Sequence, residues 1–174
     1  MSLPIYLIGA RGCGKTTIGQ VLARTLGYTF CDTDHYLQQT AECSVAEIVA
    51  REGWESFRAR ETEALRAVTA PATVIATGGG MVLAEVNRHF MRERGHVIWL
   101  SAPAEALAKR LQQQPETAQR PTLTGQPIAE EMDEILRLRA PLYQQAAHYR
   151  VDAMQPPEQV AEEIIRSLAL ARAS

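Results

Sequence analysis

The chain has 174 residues, a formal net charge of −2 and hydrophobic residues at 46% of its positions. This length suits one domain with a substantial core and is too short for two comfortable ones. The small negative charge argues against a nucleic-acid partner, because binding to a phosphate backbone normally requires a basic excess. No apolar run reaches the roughly 18 residues that predict a membrane span. We therefore expect one domain over residues 1–174, monomeric and cytoplasmic, with no nucleic-acid or membrane partner.

Short apolar runs alternate with longer helical patterns along the chain. The apolar runs predict five strands, at residues 5–8, 29–31, 73–76, 97–100 and 149–151. Apolar residues at three- and four-residue spacing predict helices at residues 15–26, 44–51, 54–68, 84–94, 104–113, 128–143 and 158–171. The periodicity lapses between residues 114 and 127, where a surface loop is expected. This alternation is typical of an α/β fold with a parallel sheet.

The first predicted strand runs into the stretch GARGCGKT, from Gly9 to Thr16, which matches the pattern GxxxxGK[ST]. The stretch lies between a predicted strand and a predicted helix, as the pattern requires. Glycines let successive backbone N–H groups approach a polyphosphate, and the helix adds the positive end of its dipole. Lys15 would reach the outer phosphates, and Thr16 would offer a hydroxyl to Mg²⁺. The stretch therefore predicts a nucleotide-binding loop.

Two of the four aspartates, Asp32 and Asp34, follow the second predicted strand in the sequence FCDTD. Ligands bind beyond the carboxyl ends of the strands in an open parallel sheet, so both aspartates are expected to face the phosphate loop. They are the candidates for the carboxylate that holds the metal. Their spacing of two would point both side chains to one side if the strand continued. The alternative is an ordinary turn or helix cap.

The third predicted strand ends in three successive glycines, Gly78 to Gly80. Such a run after a buried strand favours close approach of a ligand, and a simple tight turn is the alternative. On the preceding helix Glu61 follows Arg58 at a distance of three residues, where its carboxylate can hold the guanidinium. Arg60 lies about 200° around the helix from Arg58, so it is expected to be solvated.

The chain contains one asparagine, Asn87, within a predicted helix. The guanine-reading NKxD motif of small GTPases is therefore absent from the sequence. The remaining interpretation is a small kinase in which a second substrate replaces water as the nucleophile.

Six motifs together resemble the shikimate kinase family, and they occur in the family's order. They are GARGCGKT at 9–16, DTD at 32–34, FRARE at 57–61, TGGG at 77–80, RPTL at 120–123 and RAPLY at 139–143. The resemblance implies a three-layer α/β/α fold of the nucleoside monophosphate kinase type, with a central five-stranded parallel sheet and a mobile lid near residues 112–127. It also implies transfer of the γ-phosphate of ATP, with Mg²⁺, to the 3-hydroxyl of shikimate in aromatic amino acid biosynthesis.

The resemblance assigns roles to individual residues. The implied nucleotide-binding residues are Gly12, Cys13, Gly14, Lys15, Thr16, Thr17, Arg110, Arg120 and Gln155. Thr16 and Asp32 would hold Mg²⁺. The implied shikimate-binding residues are Asp34, Arg58, Gly79, Gly80 and Arg139. Lys15, Asp34 and Arg120 would be catalytic, with Asp34 holding the reacting hydroxyl and Arg120 in the lid. A carboxylate bound by two planar guanidinium groups is fixed in orientation as well as in charge.

Two other classes of function stay open at this stage. One is a different small-molecule kinase of the same architecture, acting on gluconate or on a nucleoside monophosphate. The other is a regulatory or binding module that hydrolyses ATP slowly and has no acceptor. Release of ADP that depends on an acceptor separates these hypotheses.

Overall fold

The structure is a computed structural model that describes residues 2–112 and 128–173. The predicted lid and its Arg120 therefore lie outside the described residues. Within the described ranges, no helix combines the length and the apolar character needed to cross a bilayer.

Five strands in the described part of the chain form one sheet, in the order β2-β3-β1-β4-β5. The strands are β1 Ile5–Ile8, β2 Thr29–Asp32, β3 Thr73–Ala76, β4 His96–Ser101 and β5 Tyr149–Asp152. All neighbouring strands pair in parallel, so the predicted five-stranded parallel sheet is confirmed. Every residue of β1 and β3 is buried, as expected for strands covered on both faces.

Seven α-helices are found in the described ranges, and all the predicted helical regions are among them. The helices are α1 Lys15–Leu26, α2 Thr33–Ala41, α3 Val45–Val68, α4 Glu85–Arg94, α5 Ala104–Gln112, α6 Ile128–Ala146 and α7 Pro157–Ala173. The sequence pattern did not predict α2, nor the short 3₁₀ helix Met81–Leu83.

Helix α3 contains both helices predicted on either side of Gly53. Gly53 has φ 86° and ψ 171°, which is not helical, so α3 is kinked at this residue. Across the kink, Glu52 accepts hydrogen bonds from Arg60 Nε at 3.0 Å, from Arg60 Nη2 at 2.9 Å and from Ser56 Oγ at 2.6 Å. The bonds from Arg60 and Ser56 lower the pKa of Glu52 to about 2. Arg60, which was expected to be solvated, is thus half-exposed and paired with Glu52.

Side chains on alternate positions of β1 enter two different apolar clusters. Ile5 and Leu7 belong to a cluster that includes residues of α1, α5 and α7. Tyr6 and Ile8 belong to a second cluster, with residues of α3, α4 and α6. Because successive residues of a strand point to opposite faces of a sheet, the helices cover both faces. The three-layer α/β/α arrangement is therefore confirmed, and the loops after β1, β2 and β3 meet at the carboxyl edge of the sheet.

Candidate active site

The loop after β1 presents backbone groups at the amino end of α1. Gly14 is the N-cap residue of α1, with a left-handed φ of 96° and ψ of 19°, and no described side chain caps the helix. The first N–H groups of a helix have no partner within the helix, so they are available to an anion here. The amino end of α1 thus presents backbone N–H groups at the position of the predicted phosphate loop.

Two cations lie against this loop. Lys15 Nζ donates to the carbonyl oxygens of Gly9 at 2.6 Å and Ala10 at 3.0 Å. Arg110 of α5 donates through Nη1 to the carbonyl oxygen of Gly12 at 3.1 Å. Both positive charges are therefore held beside the loop by its own carbonyl groups.

The segment after β5 borders the same region. Arg110 Nη2 lies 4.0 Å from the sulfur of Met154. Gln155, the next residue, donates to the carbonyl oxygen of Asp152 at 3.1 Å and to Glu163 at 2.9 Å. Its amide nitrogen thus joins the turn after β5 to α7, and this turn lies next to Arg110.

The side chains predicted to hold the metal are in contact with each other. Thr16 Oγ1 donates to Asp32 Oδ2 at 2.9 Å. A hydroxyl and a carboxylate are hard oxygen donors that fit Mg²⁺, which is normally held by one or two protein groups together with phosphate oxygens and water. The described residues contain no cluster of three or more His, Cys, Asp or Glu side chains that could hold a metal by itself.

Asp32 and Asp34 do not share a strand, so the expectation that depended on a continuing strand does not apply. β2 ends at Asp32, and α2 begins at Thr33. Asp32 is the N-cap of this helix: its Oδ1 accepts from the backbone N–H groups of Asp34 at 2.9 Å and His35 at 3.2 Å. Helical geometry, and not strand alternation, therefore sets the direction of Asp34.

The three glycines after β3 are packed closely against charged side chains. A Cβ on Gly78 would lie 2.6 Å from Glu61 Oε2 and 3.0 Å from Asp34 Oδ1. A Cβ on Gly80 would overlap the guanidinium of Arg58. Gly78 and Gly80 thus leave space for the Glu61 carboxylate and the Arg58 guanidinium. Their turn also begins the 3₁₀ helix, since Met81 N donates to the Gly78 carbonyl at 3.0 Å.

Arg58 and Arg139 come from different helices and meet at this glycine turn. Arg58 Nη1 binds Glu61 Oε1 at 2.8 Å, as the three-residue spacing predicted, and Glu61 is only 1% exposed. A Cβ on Gly79 would lie 3.6 Å from Arg139 Nη1. Burial lowers the pKa of Arg139, and neighbouring Arg58 lowers it further. Two guanidinium groups held this way favour an anionic ligand.

Sequence reasoning missed two polar residues whose side chains hydrogen-bond to the backbone of the glycine turn. Tyr143 donates its hydroxyl to the carbonyl oxygen of Gly79 at 2.6 Å, and Thr33 Oγ1 accepts from the backbone N–H of Gly78 at 3.2 Å. One available signal was the position of Tyr143, four residues after Arg139 on a predicted helix and hence on the same helix face.

Comparisons with known proteins agree with this geometry. A family model described as shikimate kinase matches residues 11–169. The chain is 67% identical over 174 residues to shikimate kinase 2 of Erwinia tasmaniensis, covering 100% of both chains. It is 60% identical over 169 residues to shikimate kinase 2 of Yersinia enterocolitica, covering 97% of each.

Solved structures show the same likeness. The shikimate kinase from Acinetobacter baumannii in complex with shikimate superposes with a TM-score of 0.92 at 34% identity, covering 100% of this chain and 97% of that one. Deoxyadenosine kinase from M. mycoides, with bound dATP, has a TM-score of 0.62 at 14% identity over 96% of this chain and 99% of that one, a likeness of fold alone.

Proposed function

The chain belongs to the shikimate kinase family, and from this premise we propose that the residues assembled at the carboxyl edge of the sheet bind ATP, Mg²⁺ and shikimate. Members of the family are ATP-dependent phosphotransferases, and this chain transfers the γ-phosphoryl group of ATP to shikimate in aromatic amino acid biosynthesis. The acceptor is the 3-hydroxyl.

One observation supports the assignment of the site most strongly: the phosphate loop and Arg139 lie beside the same glycine. A Cβ on Gly79 would lie 3.4 Å from the backbone nitrogen of Arg11 and 3.6 Å from Arg139 Nη1. An acceptor held by Arg58 and Arg139 would therefore lie next to the outer phosphates of a nucleotide. In-line phosphoryl transfer requires this adjacency.

The acceptor half of the proposed site has three functions. Arg58 and Arg139 bind the carboxylate, and their planar groups fix its orientation. Gly79 and Gly80 offer backbone N–H groups to the ring. Asp34, beside Gly78, holds the reacting hydroxyl and accepts its proton as the new bond to phosphorus forms.

The nucleotide half stabilises the charge that develops during transfer. Backbone groups from Gly12 to Thr17 bind the phosphates, Lys15 supplies a cation to the outer phosphates, and Arg110 and Gln155 lie at the nucleoside end. Thr16 and Asp32 would hold Mg²⁺, which when bound neutralises charge on the terminal phosphates. Arg120 belongs to this proposal through the family pattern alone, because it lies outside the described residues.

Coupled measurement of ADP release tests the function directly. The purified protein is assayed with ATP and Mg²⁺ against shikimate, gluconate, AMP and no acceptor. We expect rapid ADP release with shikimate only. An equal rate without an acceptor would indicate a simple ATPase, and a higher rate with gluconate or AMP would indicate another kinase of the same fold.

We also propose that residues 1–174 form one domain that acts as a monomer in the cytoplasm. The described residues of this chain supply side chains to both the nucleotide half and the acceptor half of the proposed site. Light scattering during gel filtration should then give a mass near 19.2 kDa. A stable mass of twice this value would contradict the proposal.

A further inference from the structure

Tyr143 is buried directly behind the proposed acceptor site. Its side chain is 0% exposed, and its hydroxyl donates to the carbonyl oxygen of Gly79 at 2.6 Å. Its ring stacks on Trp99 of β4, with centroids 5.7 Å apart and planes inclined by 29°. Burial raises the pKa of Tyr143 to about 12, so the hydroxyl keeps the proton that it donates. The bond is thus short, enclosed and anchored in the core.

This bond acts on the central peptide of the turn that Met81 N closes onto the Gly78 carbonyl, and that closing bond alone allows the central peptide to face either way. The peptide between Gly79 and Gly80 joins two residues without a Cβ, so the dihedral angles on either side of it are unusually free. The peptide itself is planar and trans, so the Gly79 carbonyl and the Gly80 N–H point in opposite directions. A donor that fixes the carbonyl on the core side therefore aims the Gly80 N–H away from the core.

The same tyrosine ties Arg139 to the turn. Tyr143 follows Arg139 by four residues, so the two side chains lie on one face of α6. Pro141 lies between them inside the helix. Proline has no N–H, so α6 loses one backbone hydrogen bond in this turn and is weakened there. The bond from Tyr143 to Gly79 holds the weakened turn close to Gly79, beside which Arg139 Nη1 lies.

We propose that Tyr143 is a positioning residue for shikimate. By holding the Gly79 carbonyl, Tyr143 orients the Gly80 N–H toward the substrate and keeps Arg139 beside the glycine turn. The inference rests on the proposed function. Tyr143 is fully buried and does not touch the reacting atoms. Its removal should therefore weaken shikimate binding and leave both the phosphoryl-transfer step and the nucleotide half of the site intact.

A matched pair of tyrosine variants tests this inference. Tyr6 is also 0% exposed and lies in the same apolar cluster, but its hydroxyl is bonded to Thr69 Oγ1 at 2.9 Å, away from the glycine turn. We expect Tyr143→Phe to raise KM for shikimate about five- to tenfold, the range expected for one hydrogen bond, with kcat and KM for ATP within about twofold of wild type. Tyr6→Phe should leave all three constants unchanged.

A spectroscopic measurement separates positioning from general loss of stability. In ¹⁵N-labelled protein without ligands, Tyr143→Phe should move the Gly80 amide resonance, whereas Tyr6→Phe should not. If Tyr143→Phe does not fold, 3-fluorotyrosine placed at position 143 keeps the ring and provides a stronger donor. It should shift the Gly80 amide while KM for shikimate stays at or below the wild-type value.

The outcomes distinguish this inference from the proposed function. An unchanged KM for shikimate in folded Tyr143→Phe would overturn the positioning role, as would an equal rise in KM for shikimate and for ATP. A Gly80 amide resonance that does not move in the fluorotyrosine protein would also overturn the positioning role. Wild-type protein that releases no ADP in response to shikimate would instead overturn the proposed function itself.

Discussion

Asp32 uses its two carboxylate oxygens for different purposes. Oδ1 caps α2 by accepting two backbone hydrogen bonds, and Oδ2 accepts from Thr16 at the proposed metal site. The sequence offered the cap and the metal site as alternatives, but the geometry is compatible with both. The cap holds the carboxylate rigidly, so Oδ2 is fixed in the direction of the phosphate loop before any ligand binds.

Lys15→Ala and Asp32→Asn should both reduce turnover, but for different reasons. Removal of Lys15 deletes a cation from the developing charge, and we expect kcat to fall by about 10² to 10³. Asparagine at position 32 keeps the helix cap, since it is as good an N-cap as aspartate, but it loses the charge that attracts Mg²⁺. Raised Mg²⁺ should therefore restore part of the activity of Asp32→Asn. Equal rescue of both variants in a Mg²⁺ titration would contradict these assignments.

The arginine pair should determine selectivity for an acidic acceptor. Truncation of Arg58 or Arg139 to alanine removes a charge-assisted contact worth about 1.5–3 kcal/mol, which lowers kcat/KM for shikimate by about tenfold to more than a hundredfold. Lysine should restore only part of this loss, since it cannot form a bidentate contact. The matched control is Arg60→Lys, which affects only the Glu52 contact at the surface. Full activity with the carboxamide analogue of shikimate would show that no carboxylate is bound there.

At the scale of elements, the clearest failure of prediction is α2. Only Thr33 and Leu37 are buried in this helix, so it lacks the apolar periodicity by which the other helices were predicted. Its one strong signal is the N-cap Asp32, but the spacing of Asp32 and Asp34 also fits a continuing strand. The five strands and the helix ends at Gly27 and Gly95 were predictable because local sequence determines them.

The supporting contacts of the site could not be predicted for a different physical reason. Tyr143 and Gly79 are 64 residues apart, and Thr33 and Gly78 are 45 apart. No local pattern encodes such pairs, because they form only after α6 and α2 have packed at the sheet edge. The Arg58–Glu61 pair was predictable, since both residues lie within one turn of a single helix.

The kink in α3 provides a test at this scale. A Cβ on Gly53 or on Gly27 would meet no atom within 4 Å, so alanine at either position is resisted by backbone conformation alone. Gly27 is left-handed, with φ 73° and ψ 27°, whereas Gly53 lies at φ 86° and ψ 171°, a region populated almost only by glycine. Urea denaturation should show a loss of about 1 kcal/mol for Gly27→Ala and about 2–3 kcal/mol for Gly53→Ala.

The reverse order, or equal losses, would show that α3 tolerates straightening at Gly53. In that case the bonds from Arg60 and Ser56 to Glu52 would not depend on the kink.

At the scale of the whole molecule, the proposed site and a histidine contact that is sensitive to acid lie at opposite ends of the sheet. The carboxyl edge carries the phosphate loop, Asp32 and the glycine turn. The other end of β4 is held by bonds that do not take part in the reaction. There, His148 and Val97 exchange two hydrogen bonds: His148 N donates to the Val97 carbonyl at 2.8 Å, and Val97 N donates to His148 Nδ1 at 3.0 Å. Protonation of His148 can therefore destabilise the fold at a place remote from the proposed active site.

His148 should make the protein less stable as the pH falls below neutrality. Burial lowers the pKa of His148 from its ordinary value of 6.5, and the nearby charges of Arg92 and His96 lower it further. The unfolded chain then binds a proton more readily than the folded one. The contribution of His148 to stability is fully present above about pH 6.5 and is lost as the pH falls from there through the lower, folded-state pKa. Protonation would also remove the acceptor that Nδ1 offers to Val97.

His148→Asn isolates this effect, since the asparagine oxygen can accept the Val97 N–H and does not titrate. Urea midpoints measured at intervals between about pH 7 and 5.5 should fall less steeply for His148→Asn than for wild type. His89→Asn is the control, because His89 lies on α4 with a side chain 67% exposed, and it should follow the wild-type curve. If His148→Asn lost as much stability on acidification as wild type, a group other than His148 would have to account for the loss. Protonation of His148 Nδ1, the acceptor of the Val97 N–H, would then not contribute to it.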